Sequence, residues 1–319
     1  MKWLTCVTIT AGLVAFGCAP IGAADFGVGS KHPEFRQVSE SANTRAVTDD
    51  FGRIISVRFP PQRIVSLAPA ATAMLVAAGA RSQLVGTIEY SGQPPAEKEL
   101  ATIGTSDAVD MERLIALRPD VVVVWPGGNN PAQIATIERL GIPVYRQEAV
   151  TLDAIVASLR RVGRLTGTSP VADREASALE TKLAALRRRY ATASHAPGVF
   201  LEVWDRPLYT VGGKELMSAA LQVCGARNVF ADLPERAPAI GIEAVLARNP
   251  DIIIAAAPPG RGASWLAQWQ RFPSLGAVKA GRLLAFEDQR LSGLGPGVID
   301  ATGAMCRKIA ALTGHTKSN

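Results

Sequence analysis

The chain has 319 residues, 48% apolar and 19% charged, which is enough to bury a large core in about two domains. Its formal charge of +6 is scattered, and aromatics are only 6%, so no basic patch with interleaved rings points to nucleic acid. The densest basic run, Arg187-Arg188-Arg189, falls in a helical pattern and reads as a solvated face.

The N-terminus carries Met1-Lys2, an uncharged apolar stretch over residues 3–17, and the small residues Gly22-Ala23-Ala24. That pattern predicts an export signal over 1–24, cleaved after Ala24. Lipidation at Cys18 is the alternative, with the bulky Phe16 against it. Cys6 and Cys18 lie in this signal, leaving Cys224 and Cys306 in the mature chain. In an oxidising compartment an even pair reads as one disulfide, the alternative being two buried free thiols. The polar, aperiodic residues 25–45 read as a flexible leader.

Folded sequence is expected from residue 46. The segment Val47 to Arg53 resembles a hairpin start, with a strand after it over residues 54–59. Strands at 63–67, 84–87, 121–124 and 143–145 then alternate with helices ending near Ala78, over 110–117 with Asp110 as N-cap, and over 131–140. The run Val121-Val122-Val123-Val124 is wholly apolar, as in a strand buried on both faces of a parallel sheet. An amphipathic helix over 152–165 precedes a longer one over 171–193, where Ala176, Leu179, Leu183 and Leu186 recur at helical spacing. Strand–helix alternation resumes after Pro197.

The second half echoes the first. Glu112 to Val123 recurs as Glu243 to Ile254, each copy placing Pro seven residues after Glu, then Asp, then a β-branched strand. This predicts an α/β fold of two similar Rossmann-like lobes, 46–150 and 197–319, joined by a bridging helical segment over 151–196. The ligand cleft would lie between the lobes, outside the strand ends.

Several segments together resemble the substrate-binding proteins of bacterial importers for siderophores, haem and cobalamin. They are Pro61 to Pro69, Glu89-Tyr90-Ser91 before Pro94-Pro95, Trp125-Pro126-Gly127-Gly128-Asn129, Val223-Cys224-Gly225, Asn228-Val229-Phe230 and Glu243 to Arg248. The resemblance covers residues 46–313 and is strongest to the family's cobalamin-binding branch. It implies a periplasmic protein, expected as a monomer, that hands cobalamin or a related corrinoid to the membrane permease of an ABC importer. It also implies that Tyr90, Trp125 and Gly127 line the cleft from the first lobe, and Trp204, Tyr209 and Asp288 from the second. Cys306 matches a second cysteine of that branch, which supports the Cys224–Cys306 pair. Glu112 and Glu243 match acidic posts that meet permease arginines, one per lobe; favourable placement at a helix N-terminus is their plainer role. Ser106 and Ala237 stand where that branch has tryptophans, which implies either a wider cleft or a changed ligand preference. Trp265 and Trp269, four apart, read instead as one helix's core face.

No nucleophile elbow, Walker loop, GxGxxG or HExxH motif is present, so no catalytic residues and no cofactor are assigned. His32, His195 and His315 fall in the leader, the bridging segment and the tail, which argues against a histidine metal site. Two rivals remain within the family: a haem binder using Tyr90 or Tyr209, and a siderophore binder using Arg206 and Arg290. An exported hydrolase with unrecognised carboxylates is the rival outside it.

Overall fold

A computed structural model describes residues 43–90, 99–190, 196–293 and 295–314. The predicted signal, most of the predicted leader, Cys6, Cys18, Ser91, Pro94-Pro95 and the three histidines lie outside the described residues.

The first strand, β1 (Thr44–Thr48), begins inside the segment read as leader and pairs antiparallel with β2 (Ile54–Arg58). Thr44 and Arg45 join it although they are polar, because a two-stranded exposed ribbon asks for no apolar alternation. Asp50, in the turn, fastens this hairpin to the lobe. Its buried carboxylate accepts from Ser158 Oγ at 2.6 Å, Arg161 Nε at 2.7 Å, the Glu148 N–H at 3.1 Å and Tyr145 Oη at 3.3 Å.

Five parallel strands form the first sheet: β3 (Ile64–Ser66), β4 (Leu84–Thr87), β5 (Ala101–Thr102), β6 (Val121–Val124) and β7 (Val144–Arg146). Their order is β5-β4-β3-β6-β7, so the chain switches direction across the sheet between β3 and β6. Helices α1 (Pro69–Ala77), α2 (Met111–Ala116) and α3 (Pro131–Arg139) connect them. All four side chains of β6 are buried, as the unbroken valine run requires.

The second lobe repeats the plan with β8 (Gly198–Glu202), the short hairpin β9 (Trp204–Asp205) and β10 (Leu208–Tyr209), β11 (Arg227–Asn228), β12 (Ile252–Ala256) and β13 (Leu283–Phe286). Its parallel sheet runs β11-β8-β12-β13, with the switch between β8 and β12. Its helices are α6 (Leu216–Val223), α7 (Ile242–Arg248), α8 (Gly262–Ala267), α9 (Gly276–Lys279) and the C-terminal α10 (Gly297–Thr313).

The internal repeat has a structural cause. In each copy a helix ends, one residue adopts a left-handed backbone (Arg118, φ 44°; Asn249, φ 40°), and Pro-Asp leads into the strand. The Asp120 carboxylate accepts from the Gln62 and Arg63 N–H groups at 2.7 and 3.0 Å, while its own N–H donates to Arg63 O. Asp251 does the same at Gly198, accepting its N–H at 2.6 Å and donating to its carbonyl at 2.8 Å. Each aspartate thus pins the foot of its lobe's central strand, β3 or β8, to the neighbouring strand.

Helices α4 (Leu152–Thr166) and α5 (Ser169–Tyr190) carry the chain between the lobes. Gly167 turns the corner with φ 78°, a conformation that costs glycine little. The two run antiparallel: Arg187 forks onto Asp153, Arg160 meets Glu180 at 2.8 Å, and Ala172 packs on Gly163. At 22 residues α5 is about 33 Å long. Near its start Val171 lies against Gly79 after α1; farther along, Leu186 lies against Gly303 and Lys182 pairs with Asp300, both on α10. A Cys224–Cys306 disulfide joins the end of α6 to α10 across 82 residues of sequence.

Replacing either strand-foot aspartate leaves amide groups without their acceptor. Asp120→Ala and Asp251→Ala are each expected to lower unfolding stability by about 1–3 kcal/mol. Because the two share no partner, the double variant should lose the sum within about 0.5 kcal/mol in urea titrations.

Candidate functional site

In an open parallel sheet, ligands bind beyond the carboxyl ends of the strands, where the strand order reverses. Here both reversals face one cavity of about 690 Å³. Pro69, Ala70 and Ala73, which follow β3, form part of its first-lobe wall together with Tyr90. Opposite stand Val203 and Trp204 after β8, Ala257 and Pro258 after β12, and Asp288 to Gly293 after β13. Most of these side chains are apolar or small, so the space is a hollow rather than a packed interface.

Local chemistry fixes each wall. At the first-lobe edge, Thr72 Oγ1 donates to Ser66 Oγ at 2.9 Å and contacts Thr87 Oγ1 at 3.1 Å, tying the first turn of α1 to β3 and β4. In the second lobe Asn228 donates to Val211 O at 2.7 Å and Ser218 Oγ at 2.8 Å, fastening the start of α6 to β11. Asp288 caps a short 3₁₀ turn by accepting the Arg290 N–H. The Arg290 guanidinium also forks onto that carboxylate at 2.9 and 2.6 Å, which holds its pKa below the usual carboxylate range. The cleft therefore presents a self-neutralised ion pair beside an apolar wall.

Trp204 is the conspicuous apolar group. It remains 52% exposed, with its ring edge-on to Trp265 at 6.2 Å and its N–H donated to Arg206 O at 3.0 Å. A large ring held in place yet left in water is ready to cover a ligand.

Of the residues expected to bind ligand, Tyr90, Trp204 and Asp288 line the cavity, and Trp125, Gly127 and Tyr209 are not among its lining. The Trp125 ring folds back over the turn that follows it, leaving a Cβ at Gly128 only 2.2 Å of room, so glycine is required there. Its indole N–H donates to Glu148 Oε1 at 3.3 Å. That same oxygen accepts Arg236 Nη1 from the other lobe at 2.7 Å, while Arg236 Nε reaches Glu215 at 2.5 Å. Trp125 and Gly127 thus belong to a polar clasp between the lobes. Tyr209 pairs with Trp204 in the β9–β10 hairpin. Ser106 and Ala237 are also absent from the lining.

Arg290 lines the cavity, whereas Arg206 is not among its lining and has a side chain 91% exposed. Glu112 and Glu243 are exposed in the first turns of α2 and α7. Trp265 and Trp269 are core residues as predicted, 2% and 0% exposed. Among the described residues no group of His, Cys, Asp and Glu could hold a metal, and no helix is long and apolar enough to cross a membrane. Sequence reading missed Met217, Ala257, Pro258 and, apart from Arg290, the 289–293 turn. The first residues after each predicted central strand were the available signal.

A family model described as periplasmic binding protein matches residues 64–289. The vitamin B12-binding protein of Pectobacterium carotovorum is 32% identical over 259 residues, covering 81% of this chain and 92% of that protein. Its namesake in Vibrio cholerae is 31% identical over 255 residues, covering 79% and 91%. Among solved structures, the periplasmic vitamin B12 binding protein of Vibrio cholerae superposes with a TM-score of 0.73 at 28% identity, covering 80% of this chain and 98% of that one. A periplasmic heme-binding protein from Roseiflexus shares the fold, with a TM-score of 0.68 at 23% identity and coverage of 79% and 98%.

If Arg236 clasps the lobes, Arg236→Ala should speed amide exchange severalfold near residues 126–128 and 212–215. Exposed ion pairs contribute little, so stability should shift by less than about 1 kcal/mol. Exchange that stays unchanged at both segments would show that the contact ties nothing.

Proposed function

The chain belongs to the periplasmic binding protein family, and we propose that it captures cobalamin or a related corrinoid between its lobes and passes it to an ABC-importer permease. The observation that carries this reading is the likeness to vitamin B12-binding proteins along nine-tenths of their length, joined to an open cavity where both sheets reverse.

The cavity's chemistry suits such a ligand. A corrinoid is a broad, flat ring bordered by amide arms. Trp204 and Tyr90 offer apolar area from opposite lobes, and burying an aromatic side chain is worth about 25 cal/mol per Å² over 150–250 Å². Asp288, Gln289, Arg290 and Ser292 supply donors and acceptors for the arms. Trp125 and Gly127, at the clasp, meet the ligand only at the cleft's rim, and Tyr209 acts through the hairpin it shares with Trp204. With α5 packed against both lobes, closure is limited to small adjustments.

Glu112 and Glu243 occupy equivalent exposed sites on the two lobes and serve as docking posts for cationic side chains of the permease. Residues 1–24 direct export and are removed near Asp25, and the mature chain acts as a monomer with its Cys224–Cys306 bridge formed in the periplasm. It acts by binding and not by catalysis, as the family does.

Calorimetric titration should give one cyanocobalamin per chain. Trp204→Ala removes the largest exposed contact and should weaken binding by about 2–4 kcal/mol. Hemin that binds tightly with a tyrosinate-iron spectrum, while cyanocobalamin gives no heat, would transfer the assignment to haem through Tyr90. In reconstituted vesicles the Glu112→Ala/Glu243→Ala double variant should keep its ligand affinity and lose transport. Close interfacial charge pairs couple by about 1.5–7 kcal/mol, so unaltered transport would refute the docking role.

A further inference from the structure

Glu202 is a buried ionisable group that the binding reading leaves unused. The last residue of β8, it is fully buried two positions before Trp204. Its Oε2 accepts the Trp269 indole N–H at 2.8 Å, and its Oε1 accepts the Gln268 amide at 2.7 Å. Both donors sit in the 3₁₀ turn that continues α8, and α8 carries Trp265, against whose ring Trp204 rests. The Trp265 indole N–H has no partner among the described residues, so packing and this turn alone hold it in place. One carboxylate therefore ties together the strand that leads into Trp204 and the helical run that backs its ring.

We propose that Glu202 is a positioning residue for the cleft aromatic Trp204, and that its protonation state sets how firmly this wall of the cleft is held. The proposal rests on Trp204 being part of the ligand cleft.

The chemistry allows both states. Ionised, Glu202 accepts both N–H bonds. Protonated, it keeps the bond from Trp269 and donates its O–H to Gln268 Oε1 once that amide flips by half a turn. No hydrogen bond is lost, and the cost of a buried charge disappears. Burial pushes the carboxyl up to about 7, with Asp205 adding to the rise and the bonds from Trp269 and Gln268 opposing it. Of the neighbouring charges, Asp205 pairs with Arg206 at 3.6 Å, Arg271 bonds the Gln268 carbonyl, and Glu287 is held by the Gly260 and Gly262 amides beside α8. The sign follows from linkage. A carboxyl whose pKa is raised in the packed wall binds its proton more tightly there than when water reaches it. Protonation therefore favours the packed wall, and ionisation above about pH 7 favours a loosened one.

The test labels the protein with 5-fluorotryptophan and follows the ¹⁹F signal of Trp204, assigned with Trp204→Phe, through a pH titration without ligand. In the native sequence that signal should move with a midpoint near 7. In Glu202→Gln, which mimics the protonated acid, it should stay fixed. Cyanocobalamin should be held severalfold more tightly at about pH 6 than at about pH 8.5, and Glu202→Gln should abolish that difference. A Trp204 signal that ignores pH, or that titrates identically in Glu202→Gln, overturns the proposal, as does a titrating signal with pH-independent cyanocobalamin affinity. Failure to bind cyanocobalamin at any pH would instead overturn the ligand assignment while the ¹⁹F titration still reported on Glu202.

Discussion

The molecule depends on a clamp made twice. At the foot of each central strand an aspartate both accepts and donates to the backbone, at Arg63 in one lobe and Gly198 in the other. A strand as uniformly apolar as β6 offers no alternation to mark its register, and these carboxylates bond the neighbouring strands together at their amino-terminal ends. With the feet fixed, the loops that follow the strands are left to form the opposite edge, and there both sheets reverse their order. The cavity is a consequence of where the chain is pinned.

The bridging pair of helices turns two such edges into one site. A flexible linker would let the lobes take many relative positions; α5 instead packs against Gly79 on one lobe and α10 on the other. The disulfide adds a covalent tie between α6 and α10, and closing a loop of 82 residues is worth about 4–5 kcal/mol on the chain-entropy model. Such a frame suits a carrier whose cleft is largely formed before the ligand arrives, with Trp204 and the Asp288–Arg290 pair already in place.

The frame was legible in the sequence because its signals are strong and local. The valine run, the Asp110 cap, whose carboxylate accepts the Arg113 N–H, and the duplicated Glu-to-Pro-Asp unit each map onto an element within a residue or two. The paired cysteines were legible for a different reason, as the two left in an exported mature chain. What escaped was set by tertiary contact. Trp125 precedes two glycines, and nothing in the letters tells that its ring folds back over them toward Glu148. The strands β5, β9, β10 and β11 have two residues each, too few to show any period. Glu202 reads as the polar end of a strand, and its burial emerges only when Trp269 and Gln268 close over it.

The central claim is that one cavity, at the carboxyl edges of both sheets, holds the corrinoid. Hydrogen–deuterium exchange with and without cyanocobalamin tests it most directly. Protection should appear together in both lobes, at residues 67–73 after β3 and at 203–204, 256–258 and 286–293 around β8, β12 and β13. The strand feet at residues 62–64 and 197–199 should be unaffected. Protection confined to one lobe, or found at the feet and not at the carboxyl edges, would contradict the account.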